Sequence, residues 1–140
     1  MATIFNKIIE KKIPSYIIYE DELIISFLDI YPYTKGHTLV VTKKDYRSIL
    51  EVPRHIFLHM FDIIQKMSKV LIKTLNAEGI NLLNNNGKVS GQTIFHYHVH
   101  LIPRFDEKEV NLVFNNNYNF SQNDYKKICQ DIRKKWKKYY

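Results

Sequence analysis

The chain has 140 residues, 45% hydrophobic and 25% charged, a balance that suits one compact domain with its own core. Its single cysteine, Cys129, excludes an intramolecular disulfide and a cysteine-rich zinc cluster, and no apolar stretch is long enough to span a membrane. The net charge of +7 favours an anionic partner without naming one.

In chain order, MATIFNKIIEKKIP lacks the apolar core of a secretory signal. A reducing cytoplasmic location, with the nucleus as a further compartment, is therefore expected. Residues 3–12 space Ile4, Ile8 and Ile9 as a short helix does, and Pro14 stops it. YIIYED and LIISFLDI are β-branched and aromatic runs that predict a hairpin. YPYTKG reads as a turn, and HTLVVT as a third strand. From Pro53 to about Glu78 the apolar residues Ile56, Met60, Ile63, Ile64, Met67, Val70, Leu71 and Leu75 keep helical spacing, with Gly79 as the expected terminator. INLLN predicts a fourth strand, NNGKVSGQ a loop, and TIFHYHVHLIP a fifth strand over 93–102. The Asn-rich stretch after Pro103 has no period and reads as loop. The last residues, KKICQDIRKKWKKYY, carry seven Lys and Arg against one Asp. As a helix they put Tyr125, Ile128, Ile132 and Trp136 on one face, and a docked terminal helix with a solvated basic face is expected. This order of elements predicts an α+β fold with a largely antiparallel five-stranded sheet, one long helix and short terminal helices. A single domain spans 1–140, with its core at 3–105 and a basic extension at 106–140.

Half of the six histidines fall in HYHVH. In a strand, His96, His98 and His100 share one face, and Phe95, Tyr97, Val99 and Leu101 share the other. Three histidines in register are hard to accommodate as packing, because each buried neutral imidazole needs hydrogen-bond partners. Two functions remain open. Alternate histidines on a strand can ligate a metal, and same-face neighbours about 6.5–7 Å apart can converge on one ion. Imidazole can also serve phosphoryl or nucleotidyl transfer as nucleophile, acid or phosphate donor. The strand itself carries no carboxylate. Upstream, Asn84, Asn85 and Asn86 offer amide donors, Gly87 and Gly91 let the backbone approach a ligand, and Gln92 and Thr93 add donors. Neutral donors without acids suit an anionic substrate better than a divalent ion.

The sequence also resembles a known family. HYHVHLI matches the histidine-triad pattern of the HIT family of nucleotide-binding proteins, with Tyr97 in one apolar slot. TIFNKIIEKKIPSYIIYEDE, FLDIYPYTKGHTLVV and NNGKVSGQTIFHYHVHLIPR resemble family segments in the same order, covering about residues 3–105. The resemblance implies a two-layer HIT-like fold, a homodimer, and action on purine nucleotides such as AMP conjugates. Neither a membrane nor a nucleic acid is expected as partner. It implies cleavage at the α-phosphate of nucleoside phosphoramidates through a covalent nucleotidyl-histidine. The alternatives are a dinucleoside polyphosphate hydrolase of the fragile-histidine type and a nucleotide-binding regulatory dimer with weak activity.

Position by position, the resemblance makes His98 the nucleophile, His100 a phosphate contact and His96 a support. His37 lies beside them. Asn85, Gly91, Gln92 and Thr93 surround the phosphate, and Asp29 binds the ribose hydroxyls. Ile4, Phe5, Ile8, Phe27 and Ile30 hold the base. Microbial relatives that bind a structural zinc use two N-terminal cysteines, a histidine after the third strand and the first triad histidine. The first three positions here are Thr3, Asn6 and Asp45, so no structural zinc and no cofactor are expected.

Overall fold

The computed structural model describes residues 2–140. The chain divides into two compact units, with the break between Val110 and Asn111. The first holds α1 (Ile4–Ile9), β1 (Ile17–Glu20), β2 (Ile24–Leu28), β3 (Thr38–Thr42), α2 (Arg54–Leu75), β4 (Gly79–Leu83), a short 3₁₀ turn (Lys88–Ser90) and β5 (His98–Arg104). The strands form one sheet in the order β1-β2-β3-β5-β4, and every neighbouring pair is antiparallel.

The hairpin of β1 and β2 is closed by Asp21, whose Oδ1 accepts the backbone N–H groups of Leu23 and Ile24, both at 2.8 Å. Its Oδ2 accepts from the Tyr19 hydroxyl at 2.7 Å and faces His59 Nε2 on α2 at 2.6 Å. Those partners hold the Asp21 carboxyl well below the usual carboxylate range, against burial, the largest single influence, which pushes it up. The turn thus anchors the hairpin to the long helix.

Side chains alternate faces along a strand, and the sheet uses both. On one face Ile24, Val40, Tyr97, Val99 and Leu101 pack with Ile56, Met60, Ile64 and Leu71 of α2. On the other, Ile25, Phe27, Leu39 and Val41 pack with Phe5 and Ile8 of α1. Full burial of each such side chain stabilises by about 1.5–3 kcal/mol, so α1, only 6 residues long, is held by tertiary packing rather than by intrinsic helicity.

Two boundaries and the facing of one side chain differ from the expectation. Helix α2 ends at Leu75, three residues early, because Asn76 adopts the left-handed conformation (φ 58°, ψ 39°) that caps a helix, and Gly79 opens β4 instead. Val70 faces outward and is exposed. Strand β5 begins at His98 rather than 93.

In the second unit, residues 111–121 carry no helix or strand, and α3 (Gln122–Tyr139) follows. Its start is fixed by a capping box: Ser121 Oγ accepts from Asp124 N, and Asp124 Oδ2 accepts from Ser121 N. All residues from Asn111 to Tyr140 are exposed.

Candidate active site

The register of β5 against β3 decides what the histidines meet. His98 pairs with Val41 and His100 with Leu39, so both imidazoles rise on the α1 face beside Phe5 and Phe27. Val99 and Leu101 necessarily point into the α2 core. Before His98 the ladder gives way to loop contacts. Tyr97 N donates to Tyr46 O at 2.6 Å, and Gln92 Nε2 holds the carbonyls of Arg47 and Ile94. That replaces the expected ladder over 93–97. It also leaves Phe95 half-buried beneath the Arg47 guanidinium, 5.0 Å away, instead of in the core.

Backbone partners fix the protons of the imidazoles, because a carbonyl only accepts and an N–H only donates. His98 Nδ1 lies 2.7 Å from the carbonyl of His96, so Nδ1 carries the hydrogen and Nε2 keeps its lone pair. Tyr33 N donates to His37 Nδ1 at 3.1 Å, so the His37 hydrogen sits on Nε2. That Nε2–H donates to His100 Nδ1 at 2.9 Å, which leaves the hydrogen of neutral His100 on Nε2. One histidine therefore presents a lone pair and its neighbour an N–H, with their rings 5.1 Å apart.

Burial keeps these rings neutral. Desolvation is the main force lowering the His98 and His37 pKa values. It also brings His100 down to about 4, helped by the proximity of His98 and His37. Asp29 opposes the trend at all three.

His98 and His100 line a cavity of about 380 Å³. Its apolar end is formed by Ile4, Phe5, Ile8, Phe27 and Ile30. Phe5, Ile8 and Phe27 are also core residues, whereas Ile4 and Ile30 are 50% and 64% exposed and belong to the wall alone. Asp29, Asn85, Gly91 and Thr93 supply polar lining. Asp29 Oδ1 accepts from Tyr31 N at 2.8 Å, and Oδ2 stands 3.7 Å from His37 Nε2. Gly91 adopts φ 96°, a left-handed conformation natural to glycine, and an added Cβ there would stand 3.7 Å from Asn85 Nδ2.

Gln92 departs from its expected place. It is buried, it does not line the cavity, and its amide is consumed internally: Oε1 accepts from Gly87 N at 2.8 Å while Nε2 donates to the two carbonyls above. It shapes the loop that presents Gly91 and Thr93. Asn84 and Asn86 are likewise structural. Asn84 Nδ2 holds the carbonyl of His98 at 2.8 Å, and Asn86 bridges Asn84 and Ile49 N. His96 is buried outside the cavity, with Nε2 2.5 Å from Thr42 O. Sequence reasoning missed Ile13, Tyr33, Leu39, Leu83 and Ile94 in the walls. Only Tyr33, four residues before His37 in a proline turn, carried a usable signal.

Asp29, His37 and His100 bring ligand atoms within 4.8 Å of one another. A metal takes the lone pair of a ring nitrogen. His37 Nε2 has none to offer while Nδ1 accepts the Tyr33 N–H, so the group suits a hydrogen-bond relay better than an ion. The structural-zinc positions fit no better. Of Thr3, Asn6, Asp45 and His96, only the last two are zinc-ligand types. Asn6 is already engaged, Oδ1 accepting from Thr3 N and Nδ2 donating to Asp45 Oδ1, both at 2.6 Å.

The architecture is a small α+β domain, an antiparallel sheet crossed by one long helix, with alternate histidines at a cavity that has an apolar end and a polar end. A model of the HIT domain matches residues 10–107. An uncharacterised HIT-like protein of Methanocaldococcus jannaschii is 47% identical over 103 residues, 74% of this chain and 79% of the relative. An adenosine 5′-monophosphoramidase of Candida albicans is 37% identical over 110 residues, 76% of this chain and 72% of that enzyme. The crystal structure of a HIT-family protein of Bacillus subtilis matches with a TM-score of 0.86 at 37% identity, covering 94% of each chain. The chain belongs to the HIT family.

Proposed function

We propose that the protein is a metal-independent nucleotidyl hydrolase of the phosphoramidase type. The observation that carries the reading is the bare Nε2 of His98 at the cavity. Its lone pair attacks the α-phosphorus of a nucleoside phosphoramidate, and a P–N bond forms. The P–N bond to the leaving amine breaks, and the amine departs with the bonding pair and takes up a proton. Water then attacks the nucleotidyl-histidine and gives up a proton to solvent, matching the one the amine took. The Nε2–P bond breaks with its electron pair returning to Nε2, and nucleoside monophosphate leaves with His98 restored. The His100 Nε2–H, relayed from Tyr33 through His37, donates to a non-bridging phosphate oxygen as negative charge builds. Asn85, Gly91 and Thr93 cradle the phosphate, Asp29 accepts from the ribose hydroxyls, and the apolar end takes a purine. The similarity to an adenosine 5′-monophosphoramidase supports this substrate class. The homodimer and the cytoplasmic location belong to the same proposal. No helix among the described residues is long and apolar enough to cross a membrane.

The test is hydrolysis of adenosine 5′-phosphoramidate in excess chelator, with mass spectrometry of quenched enzyme. Turnover with an AMP adduct on His98 is expected, together with loss of both in His98→Asn while AMP still binds. Turnover that needs added metal, or that persists in His98→Asn, would overturn the mechanism. Diadenosine polyphosphates in the same assay should be cleaved more slowly.

A further inference from the structure

His96 poses a problem that the catalytic reading leaves open. Its Nε2 faces a carbonyl and must donate. Its Nδ1 is buried without an aligned hydrogen bond, and the Asp45 carboxylate stands 3.2 Å away. The same Asp45 oxygen, Oδ1, accepts from Asn6 Nδ2 on α1. Asn6 in turn closes the capping box with Thr3 at the start of that helix. From His96 the path continues to the reacting ring, since its carbonyl holds His98 Nδ1. Phe5, next to Asn6, stands edge-on to both rings, with centroids 5.9 Å from His96 and 5.0 Å from His98. A carboxylate only accepts, so this one joins the helix of the apolar end to the residue whose carbonyl sets the tautomer of His98 when His96 carries hydrogen on both ring nitrogens, Nε2–H toward Thr42 O and Nδ1–H toward Asp45.

We infer that Asp45 is a positioning residue, a metal-free clamp that ties α1 to the segment before β5 and keeps the lone pair of His98 on Nε2. This rests on His98 as nucleophile. The clamp has two arms. The Asn6 arm steadies the apolar wall and acts on nucleotide binding. The His96 arm steadies the carbonyl and acts on chemistry.

The arms separate in kinetics with adenosine 5′-phosphoramidate. Asn6→Ala raises KM about fivefold and leaves kcat within twofold. Asp45→Ala raises KM similarly and lowers kcat about tenfold. Asp45→Asn, whose amide can still meet both neighbours, recovers kcat to within about threefold of wild type. Nitrogen-15 NMR of the rings supplies a readout that needs no turnover. Wild-type His98 shows one neutral tautomer, hydrogen on Nδ1, whereas Asp45→Ala shows both. Unchanged kcat and an unchanged His98 tautomer in Asp45→Ala would overturn the clamp. An inactive wild type with the tautomer shift intact would overturn the nucleophile assignment and leave the clamp standing.

Discussion

The two faces of β5 are made by neighbouring residues and solve opposite problems. Val99 and Leu101, 1% and 0% exposed, vanish into the α2 core, where only shape and apolar area matter. His98 and His100, one residue away on the same backbone, sit where every ring nitrogen must be accounted for. The first face tolerates apolar side chains of similar volume at small cost. The second depends on main-chain donors and acceptors drawn from as far away as Tyr33 and His96. A strand with period two can therefore carry stability on one side and chemistry on the other with little coupling between them.

The sharpest way to break that separation is to damage each face and read both properties. Leu101→Ala should cost about 3 kcal/mol of stability in chemical denaturation, through lost transfer energy and a cavity, with kcat per folded molecule within twofold. His100→Ala should do the reverse. It should lower kcat about a hundredfold, the scale for one lost donor to a developing oxyanion, with a small change in melting temperature. A large loss of activity in Leu101→Ala at a temperature where it is folded would show that the faces are coupled.

Acid supplies an intermediate effect. The His100 pKa falls from 6.5 to about 4 in the folded protein. Between those values the unfolded chain binds a proton that the folded chain refuses, so stability declines as pH falls through that window. His100→Gln should remove part of that decline in urea titrations at pH 4.5 and 7. His98 is lowered too, so kcat/KM should stay level through neutral pH and fall only below 6.5. The smallest effect belongs to Tyr97, whose buried hydroxyl lacks a partner and whose pKa burial pushes up to about 12. Tyr97→Phe should stabilise by up to about 1 kcal/mol, since an unsatisfied buried group is removed. A loss of stability there would point to a partner for that hydroxyl.

The sequence announces the stable face more fully than the chemical one. Helical spacing from Ile56 onward and the alternation in HYHVHLI locate α2 and both faces of β5, because periodicity follows directly from burial. The polar details depend on partners distant in the chain. Nothing in Gln92 itself reveals that its amide is spent on Gly87, Arg47 and Ile94 and not on a ligand. The late start of β5 reflects a bond from Tyr97 N to Tyr46 O, fifty-one positions back by number. Asn76 ends α2 where Gly79 looked the better stop, because asparagine also tolerates a left-handed backbone. The donor that orders His37 is a main-chain N–H, which every residue except proline possesses and which therefore leaves no mark in composition.

That last feature has a consequence for how the protein can change. A relay anchored on a side chain can be lost by almost any substitution. One anchored on the amide of residue 33 survives nearly every replacement of the tyrosine and is erased only by proline, the residue already present next door at position 32. The orientation of the relay is thus buffered against drift at its own origin, and position 33 is free to vary its ring for the sake of the cavity wall.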